Sequence, residues 1–224
     1  DIGNVRSLAK AFEAAGSRVN RTDDPDEIAA AERLVLPGVG AFGACAAALR
    51  ARGLFELVAD RARAGVPLLG VCVGMQLLFE TSEERGEHDG LALLPGRVVR
   101  FSDTQDADGR TLKVPHMGWN QLSPHGKHPV VDGRSDHVYF VHSYHASPTE
   151  PSDVLATVSY GIEVPAIVGR GNVVGVQFHP EKSHTAGLAL LRSFAEWDPA
   201  APVTSLRSTV KGLVGSDASS NPDL

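Results

Sequence analysis

The stretch Gly70-Val71-Cys72-Val73-Gly74-Met75-Gln76-Leu77-Leu78, GVCVGMQLL, lies where the apolar run Val66 to Val71 gives way to a helical pattern from Met75 to Glu84. A continuous apolar run of this length predicts a strand buried on both faces, as in a parallel sheet. Glycines flanking a thiol at such a junction permit the sharp strand-to-helix turn of a G-x-S-x-G nucleophile elbow, with Cys in place of Ser. The helix that follows would aim free N–H groups and its positive end at Cys72, favouring thiolate over thiol. A lone cysteine in an apolar run is more often an inert packing residue, an advantage the paired glycines reduce without removing, so the junction alone leaves both readings open.

Working outward, strand and helix patterns alternate. Val5, Leu8, Phe12 and Ala15 recur at helical spacing ahead of Gly16, and Asp23-Asp24-Pro25-Asp26-Glu27-Ile28 starts a second helix with acids in its first turn. Leu34-Val35-Leu36 reads as a short buried strand stopped by Pro37-Gly38, and Leu54 to Ala64 as a helix. After Gly90 the pattern changes to short strands, Gly96–Phe101, Val138–Val141, Val154–Tyr160, Ala166–Val168 and Val173–Phe178, before an amphipathic helix from Gly187 to Trp197. The expected fold is α/β: a doubly wound, flavodoxin-like mixed sheet with helices on both faces and a small antiparallel extension. Residues 1–197 form the expected domain, and 198–224, rich in Pro, Ser, Asp and Gly, read as a mobile tail.

The 224 residues are 42% hydrophobic and 21% charged, ordinary usage for one globular core. A formal charge of −6 without a Lys/Arg cluster argues against nucleic acid as a partner. No apolar run approaches the roughly 20 residues that span a bilayer, which excludes a helical membrane protein. Two cysteines, Cys45 and Cys72, make no disulfide framework, and no leader pattern opens the chain, so the cytoplasm is the expected compartment. Cys45, within Gly43-Ala44-Cys45-Ala46, reads as a small core residue on a helix. His125 and His128 flank Gly126-Lys127 without acidic or thiol companions at ligand spacing and read as solvated; no metal site and no cofactor are expected.

A thiol needs a base, because an unperturbed cysteine is only a few per cent thiolate at neutral pH. Gly175-Val176-Gln177-Phe178-His179-Pro180-Glu181 ends a strand in His-Pro-Glu, where Pro180 stiffens the turn and Glu181 stands two residues from His179, able to orient its imidazole. Taken alone, a histidine such as His179 is more often a turn residue satisfied by water, and the thiol and the His-Pro-Glu turn strengthen each other only together. The oxyanion of an acyl transfer would draw on the N–H of Val73, after the nucleophile, and on Pro37-Gly38-Val39-Gly40, whose Val39 and Gly40 peptides follow a strand. A plain β-to-α turn is the other reading of that loop.

The blocks GNVRS, LPGVGAF, GVCVGMQLLFE, GLALLPGRVVRF, KVPHMGWN, VYFVHSY and GVQFHPEKS, in a match running from Gly3 to about Phe194, together resemble the triad-type class I glutamine amidotransferases. Among these they are similar to the glutaminase subunits of imidazole glycerol phosphate synthase in histidine biosynthesis. The resemblance implies that Cys72 attacks the carboxamide of L-glutamine, that His179 relays the proton, and that Glu181 orients His179. It implies that Gln76 and the Ser143-Tyr144 backbone hold the substrate amino acid, and that the Val39 peptide rotates to complete the oxyanion hole. It further implies a (β/α)8 cyclase partner that receives the ammonia and makes imidazole glycerol phosphate and AICAR, docked against Pro115, Met117, Trp119, Tyr139 and Lys182. On residue type alone, Met117 and Trp119 are equally core residues or interface anchors, and Tyr139 equally a packed strand residue. Family members open with a strand leading into D-[YI]-G-x-G-N, whereas this chain opens Asp1-Ile2-Gly3-Asn4, so the first family strand is expected to be absent from it. Three competing readings stand beside this one: a different cysteine hydrolase of the same fold, a docking subunit without catalysis, and a glutaminase serving another synthase.

Overall fold

The computed structural model describes residues 2–102, 105–106, 108–125, 128–131 and 135–200. Most of the expected tail, 201–224, lies outside the described residues, as do Gly126 and Lys127.

The chain opens on α1 (Ile2–Ala14) and α2 (Pro25–Ala30), followed by β1 (Leu34–Gly38), α3 (Phe42–Ala51), α4 (Leu54–Arg63), β2 (Leu68–Cys72) and α5 (Val73–Gln76). Short strands follow: β3 (Thr81–Ser82), β4 (His88–Asp89), β5 (Gly96–Arg100), β6 (His116–Gln121), β7 (Ser123–Pro124), β8 (His137–His142) and β9 (Tyr144–Pro148). The last elements are β10 (Val154–Ser159), β11 (Glu163–Arg170), β12 (Val173–Val176) and α6 (His184–Glu196). The main sheet runs β1-β2-β12-β11-β10-β7, with β1, β2 and β12 parallel and the rest antiparallel. A four-stranded sheet, β4-β3-β5-β9, and the antiparallel pair β6-β8 form the extension.

Local chemistry explains the elements that position the site. Asp24 accepts the N–H of Asp26 at 2.8 Å and Pro25 supplies the fixed φ of a first helical turn, so α2 starts where the acids predicted. All five residues of β2 are buried, as the unbroken apolar run requires of a strand flanked by β1 and β12. Phe12 of α1 meets Phe194 of α6 edge to face at 6.5 Å, joining the first and last helices. The front strand expected of the family has no counterpart among the described residues, where β1 ends the main sheet.

The helix predicted from Met75 to Glu84 is a correction. It lasts one turn, and Leu77, Leu78 and Phe79 are fully buried on all sides. From Leu77 the chain turns away instead of continuing the helix. Here the 90–94 segment supplies their backbone partners, Leu91 N–H donating to Leu77 and Leu93 and Leu94 to Leu78. The strand β6, inside KVPHMGWN, has no alternating apolar signal because Met117 and Trp119 lie outside the core.

Candidate active site

Cys72 ends β2 and caps α5 with φ 55° and ψ −114°, a conformation that side-chain-bearing residues rarely adopt. Three glycines make the bend possible by close approach. A Cβ on Gly74 would meet the Leu36 carbonyl oxygen at 1.9 Å, one on Gly70 the Gly74 oxygen at 2.6 Å, and one on Gly38 the Gly74 nitrogen at 2.5 Å. The elbow is therefore wedged against β1, and the predicted geometry of the junction is present. The helix behind it is too short for much dipole, so any help to a thiolate comes from the first-turn N–H groups and side chains nearby.

His179 follows β12, and its Nδ1 lies 2.9 Å from Glu181 Oε1, with both side chains buried. The carboxylate can only accept, so Nδ1 carries the proton and Nε2 is left for the nucleophile. Burial works against protonation of this imidazole, but hydrogen bonds with Cys72 and Glu181 and the charges of both outweigh it and lift its pKa to about 9. Glu181 Oε2 is buried without a hydrogen-bond partner among the described residues, so His179 is the carboxylate's one listener. The turn is fastened to β8: His179 N–H donates to the Tyr139 carbonyl, while Ser183 Oγ donates to the His179 carbonyl at 2.7 Å and accepts from Tyr139 N–H at 3.0 Å.

A cavity of about 630 Å³ opens over these groups. It is lined by Cys72, His179, Val39, Gly40, Val73, Gln76, Ser143 and Tyr144, which brings the candidate nucleophile, base, oxyanion donors and substrate-holding residues to one wall system. Pro115 and Lys182 line it too, so two of the expected docking residues stand at the cavity itself. The other three form a patch beside it: Met117 is 61% and Trp119 47% exposed, Trp119 meets Tyr139 edge-on at 5.9 Å, and Lys182 Nζ lies 5.7 Å from the Tyr139 ring. Exposure removes the core reading of Met117 and Trp119.

Several participants escape sequence reasoning. Among the described residues Glu84 is the one carboxylate that lines the cavity, with Oε2 accepting Phe42 N–H at 2.7 Å; in the sequence it is one acid among Glu80, Glu83, Glu84 and Glu87. Gln177, fully buried, accepts from Gln76 Nε2 at 3.0 Å and turns its own Nε2 to Cys72 Sγ at 3.9 Å. Cys45 is half-buried, and its thiol donates to the Val39 carbonyl at 3.3 Å, so it touches the loop after β1 rather than only filling space. His125 and His128 are also corrected: His125 Nε2 lies 2.8 Å from Thr157 Oγ1, and His128 accepts Val130 N–H and packs on Trp197. Among the described residues no group of three or more His, Cys, Asp or Glu gathers as a metal site.

The family model "Glutamine amidotransferase class-I" matches residues 1–196. The chain belongs to the class I glutamine amidotransferases. It is 58% identical, over 87% of its length and 90% of the relative's, to a protein of Salinibacter ruber named imidazole glycerol phosphate synthase subunit HisH. A protein of Syntrophotalea carbinolica with the same name is 48% identical, over 87% of this amidotransferase and 96% of its own length. A crystal structure described as a glutamine amidotransferase superposes with a TM-score of 0.66 over 85% of this chain and 92% of that one, at 24% identity, a likeness of fold.

Proposed function

We propose that this amidotransferase is the glutaminase subunit of imidazole glycerol phosphate synthase in histidine biosynthesis, acting in the cytoplasm. The observation that carries the chemistry is Cys72 and His179 lining one cavity, with Glu181 bonded to His179 Nδ1; the kinship with the HisH subunits supports the pathway. In this reading the Cys72 thiolate attacks the carboxamide carbon of L-glutamine, and the oxyanion that forms is met by N–H groups of Val73 and of the Val39–Gly40 loop. His179, carrying on Nε2 the proton taken from the Cys72 thiol, gives it to the departing ammonia as the C–N bond breaks, leaving a glutamyl thioester. Water, deprotonated by the same imidazole, then adds to the thioester carbon and expels Cys72, releasing glutamate. Glu181 keeps the proton of His179 on Nδ1 throughout. Glu84 is placed to neutralise the α-ammonium of the substrate, as the one carboxylate that lines the cavity among the described residues.

The ammonia passes to a (β/α)8 cyclase subunit docked over Pro115, Met117, Trp119, Tyr139 and Lys182, supported by the continuity of that exposed patch with the cavity. Docking rotates the Gly38–Val39 peptide into place. One oxyanion donor is worth about 10²–10³ in rate, so glutamate release rises by at least that order when partner and its nucleotide ligand are added. The experiment is glutamate release by wild type and Cys72→Ala, alone and with the cyclase subunit. Cys72→Ala is expected to lose glutamine hydrolysis while the complex still uses added ammonia; turnover of glutamine by Cys72→Ala overturns the reading.

A further inference from the structure

At the substrate wall lies a buried pair of histidines that the chemistry above does not use, His142 lining the cavity and His116 packed against it. His116 of β6 and His142 of β8 are cross-strand partners, 2% and 6% exposed. His116 is sandwiched between Phe140, at 4.7 Å and 18°, and Tyr160, at 4.0 Å and 26°. Its Nδ1 lies 3.1 Å from His142 Nε2, and His142 Nδ1 lies 2.8 Å from the Tyr144 carbonyl oxygen.

The directions of these bonds follow from what each atom can do. A carbonyl only accepts, so His142 carries its proton on Nδ1 and its Nε2 must accept from His116 Nδ1. His116 Nε2 is thereby an acceptor, with Asn120 Nδ2 at 3.5 Å. Both rings must be neutral for the series to hold, and burial holds them so, lowering His116 to about 4 and His142 to about 3. The Tyr144 carbonyl takes a second donor, Gln76 Nε2 at 3.0 Å, whose other proton goes to Gln177 Oε1 at 3.0 Å. Both amide protons of Gln76 are then committed, and its Oε1 is left as the acceptor that an N–H of the bound amino acid can use.

We propose that His116 and His142 are positioning residues for glutamine: His142, held in one tautomer by His116, fixes the Tyr144 carbonyl and through it the orientation of the Gln76 amide. The inference rests on the glutaminase reading. It makes the pair part of ground-state binding rather than of the covalent steps, because neither ring is in the Cys72–His179–Glu181 series.

The test separates the donor from the bulk of the ring. Asn at 142 offers an N–H where Nδ1 stood, Leu offers none, and Phe at 116 keeps the stack while removing the donor to His142. Glutamine binding is measured by calorimetry in Cys72→Ala protein, and kcat and KM in the otherwise wild-type complex. His142→Leu is expected to weaken binding and raise KM about tenfold with a smaller change in kcat, the size of one lost net hydrogen bond to a buried carbonyl. His142→Asn restores most of it. His116→Phe, whose core is intact, gives a weakening in the same direction and carries the test if His142→Leu fails to fold. Unchanged KM in His142→Leu, or in His116→Phe where that carries the test, overturns the inference, as does a His142→Asn as impaired as His142→Leu. A wild-type complex that neither binds nor hydrolyses glutamine overturns the glutaminase reading and this inference with it.

Discussion

His179 shows how far one side chain can be moved from its ordinary chemistry by its neighbours. Its ring is buried, which opposes charge, yet the hydrogen bonds and charges of Cys72 and Glu181 raise its pKa from 6.5 to about 9. The sign of the linkage follows. A folded-state value above the unfolded one stabilises the fold in full below pH 6.5, and the contribution is lost as pH rises through about 9. The gap in melting temperature between wild type and His179→Asn is therefore expected to narrow across that window, as thermal melts at stepped pH will read. A gap that is constant or widens would show that the imidazole is not the proton-holding partner of the pair.

At the scale of elements, the decisive contact is β1 against the β2–α5 elbow. A methyl on Gly74 has nowhere to go, since its nearest neighbour at 1.9 Å is the backbone oxygen of Leu36. Gly74→Ala is expected to destabilise by roughly 1–3 kcal/mol or more in urea titrations and to lose glutaminase activity with it. Gly40 offers the contrast: a Cβ there meets nothing within 4 Å, and at φ +86° Gly40→Ala carries only backbone strain of about 1–2 kcal/mol. This is also where sequence reading succeeds and where it stops. Strand, small residues and thiol are neighbours along the chain, so the elbow and the His-Pro-Glu turn are legible locally. Glu84, Gln177, His116 and His142 reach the cavity or its wall from four separate segments; the last three lie inside the motif blocks, but neither residue type nor spacing there assigns them a role. The false helix after Met75 has the same origin: the apolar pattern reports burial, and the 90–94 segment that takes the backbone bonds is distant in sequence.

For the whole molecule, the buried histidines set a limit on acid tolerance. His116 and His142 are held near 4 and 3, and burial also lowers His128 and His145. Folded values below the unfolded 6.5 mean that stability is whole above that pH and is lost progressively as pH falls from 6.5 through about 4 and about 3. The urea midpoint is expected to fall between about pH 7 and about pH 5, and less so in a His116→Phe/His142→Asn double variant; equal losses in both proteins would place the acid sensitivity elsewhere. The patch beside the cavity has a different consequence. Of the molecule's two indoles, Trp197 is sealed in the core while Trp119 stands half in solvent, its ring parallel to that of His184 at 5.0 Å. The protein thus carries a built-in optical gauge: a collisional quencher in solution reaches one emitter and not the other, and whatever settles on the patch shields that emitter without any label having been attached.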